Sequence, residues 1–170
     1  LIWRGNPGKV LGLYKKWCNW ENEDGVVIAY ASMYGNTEQM ADYIGSILGA
    51  QGIKVKTHDV SKSHVSYMLA DIWNYKGLIL GTCAYNANMH PMMEHLCNEI
   101  RLVAPKNKIL SIFGSSTWNG AGVKSLMAYA PQMGMEVEGK PLEIMGAASF
   151  EKLHESALQF TEEFLKSYNK

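Results

Sequence analysis

One apolar run near the start of the chain limits its possible folds more than any other feature. Residues 26–31 read Val-Val-Ile-Ala-Tyr-Ala, with no charged or amide side chain between them. Strands that are apolar on both faces are typical of parallel sheets, in which helices cover both sides. A polar loop, 32–37, follows at once, and apolar residues from about Thr37 to Gln51 then recur at helical spacing. We therefore expect a buried parallel strand that leads through this loop into a helix.

The same alternation of strand and helix continues through the chain. Five strands that alternate with five helices predict a doubly wound α/β fold. Because crossovers between parallel strands are right-handed, we expect a five-stranded parallel sheet in the order 2-1-3-4-5, with helices on both faces. The further strands are predicted at about 53–58, 77–81, 108–113 and 136–144, the last broken or extended around Pro141, and the further helices at about 65–73, 91–103, 123–133 and 150–168.

The composition excludes several classes of function. Lys+Arg and Asp+Glu both count 16, so the formal net charge is zero, and no field of one sign is available to attract nucleic acid or an anionic membrane. No apolar run approaches the roughly 20 residues that a membrane-spanning helix needs. The three cysteines form no CxxC pair and fit reduced thiols in a cytoplasmic protein; they are Cys18, Cys83 and Cys97.

The first 24 residues differ in character from the rest. Residues 1–7 are rich in turn formers, a short helix is predicted at about 8–20, and a polar hinge follows at 21–25. The chain begins with Leu1 rather than Met, which fits a segment excised from a larger protein. We therefore predict two parts, a terminal piece at 1–24 and the main domain at 25–170.

The loop after the first strand has the features of an anion site. Gly35 allows close approach of the backbone, and the helix N-terminus that follows offers free N–H groups. An ordinary N-cap uses similar residues, but the position after a buried strand favours phosphate. A P-loop ending in Gly-Lys-Ser/Thr and a GxGxxG fingerprint are both missing here, which leaves a terminal monophosphate ester. The candidate residues are Ser32, Met33, Tyr34, Gly35, Asn36 and Thr37.

Two further loops follow the third and fourth predicted strands. Ligands of doubly wound sheets bind at the carboxyl ends of the strands, and each loop combines one aromatic side chain with amides and hydroxyls. Such a mixture suits a flat heteroaromatic ring, although either aromatic residue alone could be a loop anchor on the sheet edge. The candidates are Thr82, Cys83, Ala84, Tyr85 and Asn86 in the second loop, and Ser115, Ser116, Thr117, Trp118, Asn119 and Gly120 in the third.

The three loops together resemble those of flavodiiron proteins. Ser-x-x-Gly-Asn-Thr is similar to the phosphate loop of flavodoxins, and the resemblance extends from about Val26 to Phe164. It implies a flavodoxin-like domain that binds FMN, with Tyr85 and Trp118 flanking the ring. The chain departs from the family pattern at Cys83-Ala84 and Ser116-Thr117, which affects the contacts to the flavin edge and its redox potential. It keeps Gly81, Asn86, Gly114, Ser115, Trp118 and Gly120.

The terminal piece carries a resemblance of its own. The run Leu1–Pro7 and the helix ending in Tyr14-Lys15-Lys16-Trp17 are similar to the end of the metallo-β-lactamase-like domain of flavodiiron proteins. That likeness implies a parent protein in which a rubredoxin-like donor reduces the flavin. Electrons then pass to a diiron site across a homodimer interface, where oxygen or nitric oxide is reduced. The family's His-x-Glu-x-Asp-His motif is absent, so this chain is not expected to hold iron or to catalyse that reduction.

Three alternatives stay open at this stage. An NAD(P)H:quinone reductase of flavodoxin-like fold uses a similar phosphate loop, but no nicotinamide pocket is evident in the sequence. A response-regulator receiver shares the strand order but needs acidic residues at the end of the first strand and an Asp at the end of the third, where this chain has Ala31-Ser32 and Gly81-Thr82. The third alternative is a free-standing flavodoxin. Proteins of that kind are strongly acidic, whereas this chain has balanced charge and the extension around Trp3-Arg4.

Overall fold

A parallel sheet with helices on both faces organises the chain. The computed structural model describes residues 5–146 and 148–170. Residues 1–4, the first part of the run that carries the terminal resemblance, lie outside these ranges. The strands are β1 (Glu23–Ala31), β2 (Val55–Asp59), β3 (Tyr75–Tyr85), β4 (Asn88–Met89), β5 (Ile109–Ser116) and β6 (Leu142–Met145). The helices are α1 (Pro7–Cys18), α2 (Asn36–Ala50), α3 (Val65–Asn74), α4 (Pro91–Val103), α5 (Ala121–Tyr129) and α6 (Phe150–Tyr168).

The strand order corrects the sequence prediction. The order is β2-β1-β3-β5-β6, with β4 paired to β3 outside this path, instead of the predicted 2-1-3-4-5. The difference arises because β3 does not end at Gly81 but runs on to Tyr85 and turns back as the antiparallel β4. Asn86 and Ala87 form the turn with φ of 47° and 59°, the left-handed pair that favours a tight hairpin.

Two other predicted elements are shorter than expected. The strand predicted at 136–144 is reduced to β6, and Val137 makes only an isolated bridge to Leu110. The helix predicted at 123–133 stops at Tyr129, and a 3₁₀ turn takes over at Ala130–Met133. In both places a proline, Pro141 or Pro131, lacks the N–H that a regular element would use. By contrast, α4 and α6 have the predicted bounds.

The central strand β1 is buried on both faces, as its apolar run predicts. Residues 26–31 are all at most 6% exposed. Val27 and Ala29 face one core beneath α3, α4 and α5, while Val26 and Ile28 face a second core beneath α2 and α6. Burial on both sides places β1 inside the sheet, beside β3. The loops that leave the carboxyl ends of the parallel strands β1, β3 and β5 therefore emerge side by side.

The terminal segment lies at the opposite end of the sheet. No residue of α1 is buried, and the segment is attached mainly through its last residues. The Trp20 ring packs on Trp73 with centroids 4.6 Å apart, and the Asn22 amide donates to the carbonyl oxygens of Lys106 and Asn107 at 3.3 and 3.1 Å. Within the described residues, no helix combines the length and apolar character that crossing a membrane requires.

Candidate functional site

The three predicted loops enclose one cavity of about 620 Å³ at the carboxyl ends of β1, β3 and β5. Its volume falls in the range of about 300–1,000 Å³ that is common for small-molecule sites. None of the described residues that line it carries a formal charge. The predicted residues that line it are Ser32, Met33, Tyr34, Asn36, Cys83, Ala84, Tyr85, Asn86, Ser115, Ser116, Thr117, Trp118 and Asn119.

Four predicted residues lie behind the cavity wall instead of lining it. Gly35 and Gly120 are the N-caps of α2 and α5. Thr37 is 1% exposed, and its hydroxyl lies 2.8 Å from the Ser115 hydroxyl. The hydroxyl of Thr82 donates to the carbonyl of Cys83 and accepts from the amide of His90, both at 3.0 Å. Their roles in this structure are to join the loops and helices that form the site.

The first loop presents its backbone to the cavity. Ser32 Oγ accepts from the Gly35 amide at 3.1 Å, which bends the loop over the start of α2. Gly35 has φ of +87°, and a Cβ built there would meet nothing within 4 Å. Its conformation, rather than the surrounding space, therefore favours glycine. Ser32 and Asn36, on either side of Gly35, both line the cavity, so α2 begins at its edge.

Two helices begin at the cavity, each after a glycine that has no side chain to cap it; in α5 the Asn119 side-chain oxygen accepts from the Ala121 amide at 3.2 Å instead. The residues Gly35 and Gly120, which precede α2 and α5, provide no capping hydrogen bond. The first N–H groups of a helix have no intrahelical acceptor and need a partner from a side chain, water or ligand. The other four α-helices all have a capping side chain, contributed by Asn6, His64, His90 and Ser149. Of the α-helices in the described ranges, α2 is therefore the one whose first N–H groups have no side-chain acceptor.

An acidic residue in the first turn of α2 is already engaged. Tyr30 Oη donates to Glu38 Oε1 at 3.0 Å. Burial, together with the neighbouring Glu38 carboxylate, raises the pKa of Tyr30 well above its ordinary value, so the phenol stays protonated and remains a donor. Lys62 Nζ also lies 4.0 Å from Glu38 Oε1. The carboxylate therefore has partners of its own beside the loop that would receive an anion.

The second loop is the hairpin between β3 and β4. Tyr85 is 44% exposed and lines the cavity. Ala87, which the sequence did not single out, also lines it, because the turn places the hairpin tip over the opening. A Cβ at Gly122 in α5 would lie 3.0 Å from the Cys83 carbonyl oxygen, so α5 packs directly on this loop. Burial raises the pKa of the Cys83 thiol, which agrees with a small neutral residue in the wall.

The third loop depends on a residue that the sequence did not indicate. Ser116 Oγ donates to Glu143 Oε1 at 2.6 Å and accepts from the Gly120 amide at 3.2 Å. The Ser116 carbonyl accepts from the amide of Gly146, a second unpredicted lining residue, at 2.8 Å. Gly146 follows β6, so the rule that ligands bind at strand carboxyl ends could have identified it. Trp118, at the tip of the loop, is 77% exposed.

The histidines have positions that do not depend on a metal. His58 Nε2 lies 2.8 Å from Asp71 Oδ2, and His95 and His154 are exposed. His64 and His90 cap α3 and α4. Within residues 5–146 and 148–170, no three His, Cys, Asp or Glu side chains lie together as a metal site would require.

Comparisons with known proteins agree with this geometry. The family model described as flavodoxin matches residues 28–160. The anaerobic nitric oxide reductase flavorubredoxin of Escherichia coli O1:K1 / APEC is 34% identical over 144 residues, which are 81% of this chain and 29% of that protein. The chain thus spans less than a third of the length of this curated relative.

Two solved structures show the same fold. Rubredoxin oxygen:oxidoreductase from Desulfovibrio gigas superposes with a TM-score of 0.83 and 24% identity, covering 95% of this chain and 41% of that one. Oxidised flavodoxin 1 from Bacillus cereus superposes with a TM-score of 0.72 and 25% identity, covering 84% of this chain and 97% of that one. The match to the longer protein includes more of this chain than the match to the single-domain one.

Proposed function

Because the chain belongs to the flavodoxin family, we propose that its cavity binds FMN and that the chain is the electron-transfer domain of a flavodiiron protein. FMN, the cofactor expected from the sequence, is the cofactor of this family. The observation that carries the proposal is that the three loops form one cavity whose described lining residues are uncharged, with the N-terminus of α2, which has no side-chain cap, at its edge. This combination suits a ligand with one anionic end and one flat, neutral end.

The phosphate end belongs to the first loop in this proposal. The N-terminus of α2 supplies N–H donors and a favourable dipole, and no lysine or arginine is required. Ser32 accepts from Gly35, and its own hydroxyl proton stays available to a phosphate oxygen. Asn36 adds an amide at the same edge of the cavity. Thr37 acts indirectly, because its hydroxyl is bonded to Ser115 and joins the first loop to the third.

The ring end belongs to the second and third loops. FMN, when bound, supplies the capacity to accept and release electrons, while the protein holds and tunes it. Tyr85 and Trp118 both line the cavity and are positioned to flank a planar ring. Their exposure leaves one edge of the site open to a partner. Backbone groups at Cys83 and Thr117 line the space between them and are available to hydrogen-bond the ring edge.

The flavodiiron assignment is supported by the segment before β1. The chain is homologous to the flavodoxin-like part of flavodiiron proteins, and α1 lies before residues 28–160, which the flavodoxin family model matches. The Escherichia coli relative is named for nitric oxide and the Desulfovibrio gigas protein for rubredoxin and oxygen. We infer that a rubredoxin-like carrier reduces this domain. Its electrons then pass to the diiron metallo-β-lactamase-like domain of the parent protein, in a homodimer.

A titration with FMN tests the cofactor site. The purified chain is mixed with FMN and dialysed, and its visible spectrum is compared with that of a Tyr85→Ala/Trp118→Ala variant. We expect about one flavin per chain in the first case and a loss of at least tenfold in affinity in the second. Tyr67→Ala is the matched control, since Tyr67 is an exposed tyrosine on α3 outside the cavity. A wild-type chain that stays colourless would overturn the proposal.

A free-standing flavodoxin is the second candidate function. It is favoured by the match of 84% of this chain to 97% of the Bacillus cereus flavodoxin. The two functions differ in the acceptor. The FMN-loaded chain is reduced and then mixed with the isolated diiron domain of a flavodiiron relative under nitric oxide or oxygen. Reduced flavin itself reacts with oxygen, so the control is the loaded, reduced chain without the diiron domain. Consumption of either gas faster than in that control supports the flavodiiron role, and a rate equal to it supports the flavodoxin role.

A further inference from the structure

The carboxylate of Glu143 lies behind the third loop, at the uncharged wall of the cavity. The register between β5 and β6 pairs Glu143 with Gly114, and Ile144 is buried in the core under α6. Because neighbouring residues in a strand point to opposite faces, the side chain of Glu143 points to the face of α5. There Glu143 Oε1 accepts from the hydroxyl of Ser116, a cavity-lining residue, at 2.6 Å.

The structure makes space for this carboxylate. A Cβ built at Gly120 would lie 2.3 Å from Glu143 Oε2 and 2.5 Å from Oε1, so any larger residue at 120 would displace the carboxylate. Gly120 also has φ of +60°, a conformation that side chains rarely adopt. Its amide donates to Ser116 Oγ at 3.2 Å. Glu143, Ser116 and Gly120 therefore form one chain of hydrogen bonds at the base of the third loop.

This arrangement points to two roles for Glu143. Ser116 is held from both sides, so the orientation of Thr117, Trp118 and Asn119 depends on the position of the carboxylate. The charge is also half-buried next to a cavity in which no described lining residue is charged. Charges interact more strongly in such surroundings than in water. Addition of an electron to a bound flavin brings negative charge into this cavity, and the Glu143 carboxylate opposes that change.

We propose that Glu143 is a positioning residue that fixes the third loop through Ser116 and lowers the reduction potential of the flavin through its charge. The inference rests on the proposed binding of FMN. Lys124 is the other charged residue bonded to the loop, since its Nζ donates to the Asn119 carbonyl at 3.3 Å. Lys124 is exposed, so water and salt screen its charge, and it leaves the effect of Glu143 largely uncompensated.

Two substitutions separate the two roles. Glu143→Gln keeps an oxygen that can accept from Ser116 but removes the charge. We expect FMN affinity within about twofold of wild type and a more positive midpoint potential. Ser116→Ala keeps the charge but breaks the connection to the loop. Hydrogen bonds to charged groups are strong, so we expect the loss of this one to weaken FMN binding by about tenfold. The change in midpoint potential should be smaller. Glu155→Gln is the matched control, because it removes an exposed carboxylate on α6 outside the cavity, and it should change neither property appreciably.

The measurements are FMN titration by fluorescence quenching and spectroelectrochemistry of the loaded chain. Urea unfolding of each variant without FMN establishes that it is folded. Glu143→Asp, which keeps the charge, should retain the wild-type potential and provides a second test if the Gln variant is unstable. A potential of Glu143→Gln equal to that of wild type refutes the electrostatic role, and wild-type affinity of Ser116→Ala refutes the positioning role. Failure of the wild-type chain to bind FMN would instead overturn the proposed function.

Discussion

The hydrogen bond between Thr37 and Ser115 is the most direct test of how the site is held together. It joins the first turn of α2 to the end of β5, across 78 residues of sequence, with 2.8 Å between the two hydroxyl oxygens. Thr37 is 1% exposed and Ser115 is 9% exposed, so water cannot readily replace either partner. The perturbation is a cycle of three variants: Thr37→Val, Ser115→Ala and the double variant.

The structure predicts strong non-additivity in this cycle. Each single substitution leaves one buried hydroxyl without its partner, which costs about 1–3 kcal/mol. The double variant removes both hydroxyls together and should cost less than the sum of the two. We expect a coupling energy of at least about 1 kcal/mol, within the range found for contacting residues. Threonine and valine have similar helix propensities, so Thr37→Val should not weaken α2 by itself.

Urea unfolding of the chain without FMN, followed by far-UV circular dichroism, measures all four free energies of unfolding. Each kcal/mol should also lower the Tm by about 2–4 °C in a chain of this length. Thr57→Val is the control, because Thr57 is exposed on β2 and its substitution should stay within about 0.5 kcal/mol. Strictly additive costs at 37 and 115 would refute the reasoning, because they would mean that the two hydroxyls do not depend on each other.

Three further predictions follow from burial and charge. Gly81→Ala should destabilise the chain by about 1–3 kcal/mol or more, since a Cβ there would lie 2.1 Å from the Phe113 ring; an unchanged urea midpoint would contradict this. In the folded chain, Cys18 is exposed and should react rapidly with iodoacetamide. Cys97 is buried, and burial raises its pKa to about 12, so it should react only after unfolding in urea. Peptide mass spectrometry distinguishes the two alkylated cysteines, and rapid labelling of Cys97 in the folded chain would contradict the prediction. Burial lowers the pKa of Lys108 to about 8, so the unfolded chain binds more protons above that pH. The free energy of unfolding of wild type minus that of Lys108→Met should therefore increase as the pH rises from about 8 to 10.4, at up to about 1.4 kcal/mol per pH unit. A difference that decreases over this range would contradict the prediction.

The sequence predicted the parts of the fold that depend on local pattern. Residues 26–31 are apolar at every position, and only a strand covered on both faces buries them all. The helical spacing of α4 and α6 likewise gave their bounds, because one amphipathic face repeats over three turns or more. The predicted loops line the cavity for a topological reason, since parallel strands bring their carboxyl ends to one edge of the sheet.

The structure differs from the sequence prediction in the second loop and at the start of the last strand. The residues from Thr82 to Met89 contain no Asn-Gly pair, so they were expected to form a loop. The structure closes them as a hairpin because Ala87 adopts the left-handed conformation that glycine usually provides. The last strand was predicted to begin at 136, but β6 begins only at Leu142, directly after Pro141. Contacts with the neighbouring strand decide where the pairing begins.

What the sequence alone determined is the class of fold, the three loops and the chemistry that their residue types suit. These depend on periodicity and on residue identity, which are local properties. What the tertiary structure decided is how the loops are held, through the Thr37–Ser115 bond and the Glu143 carboxylate beneath Ser116. These contacts join residues that are far apart in the chain, and their geometry is set only when β1, β3, β5 and β6 have come together in one sheet.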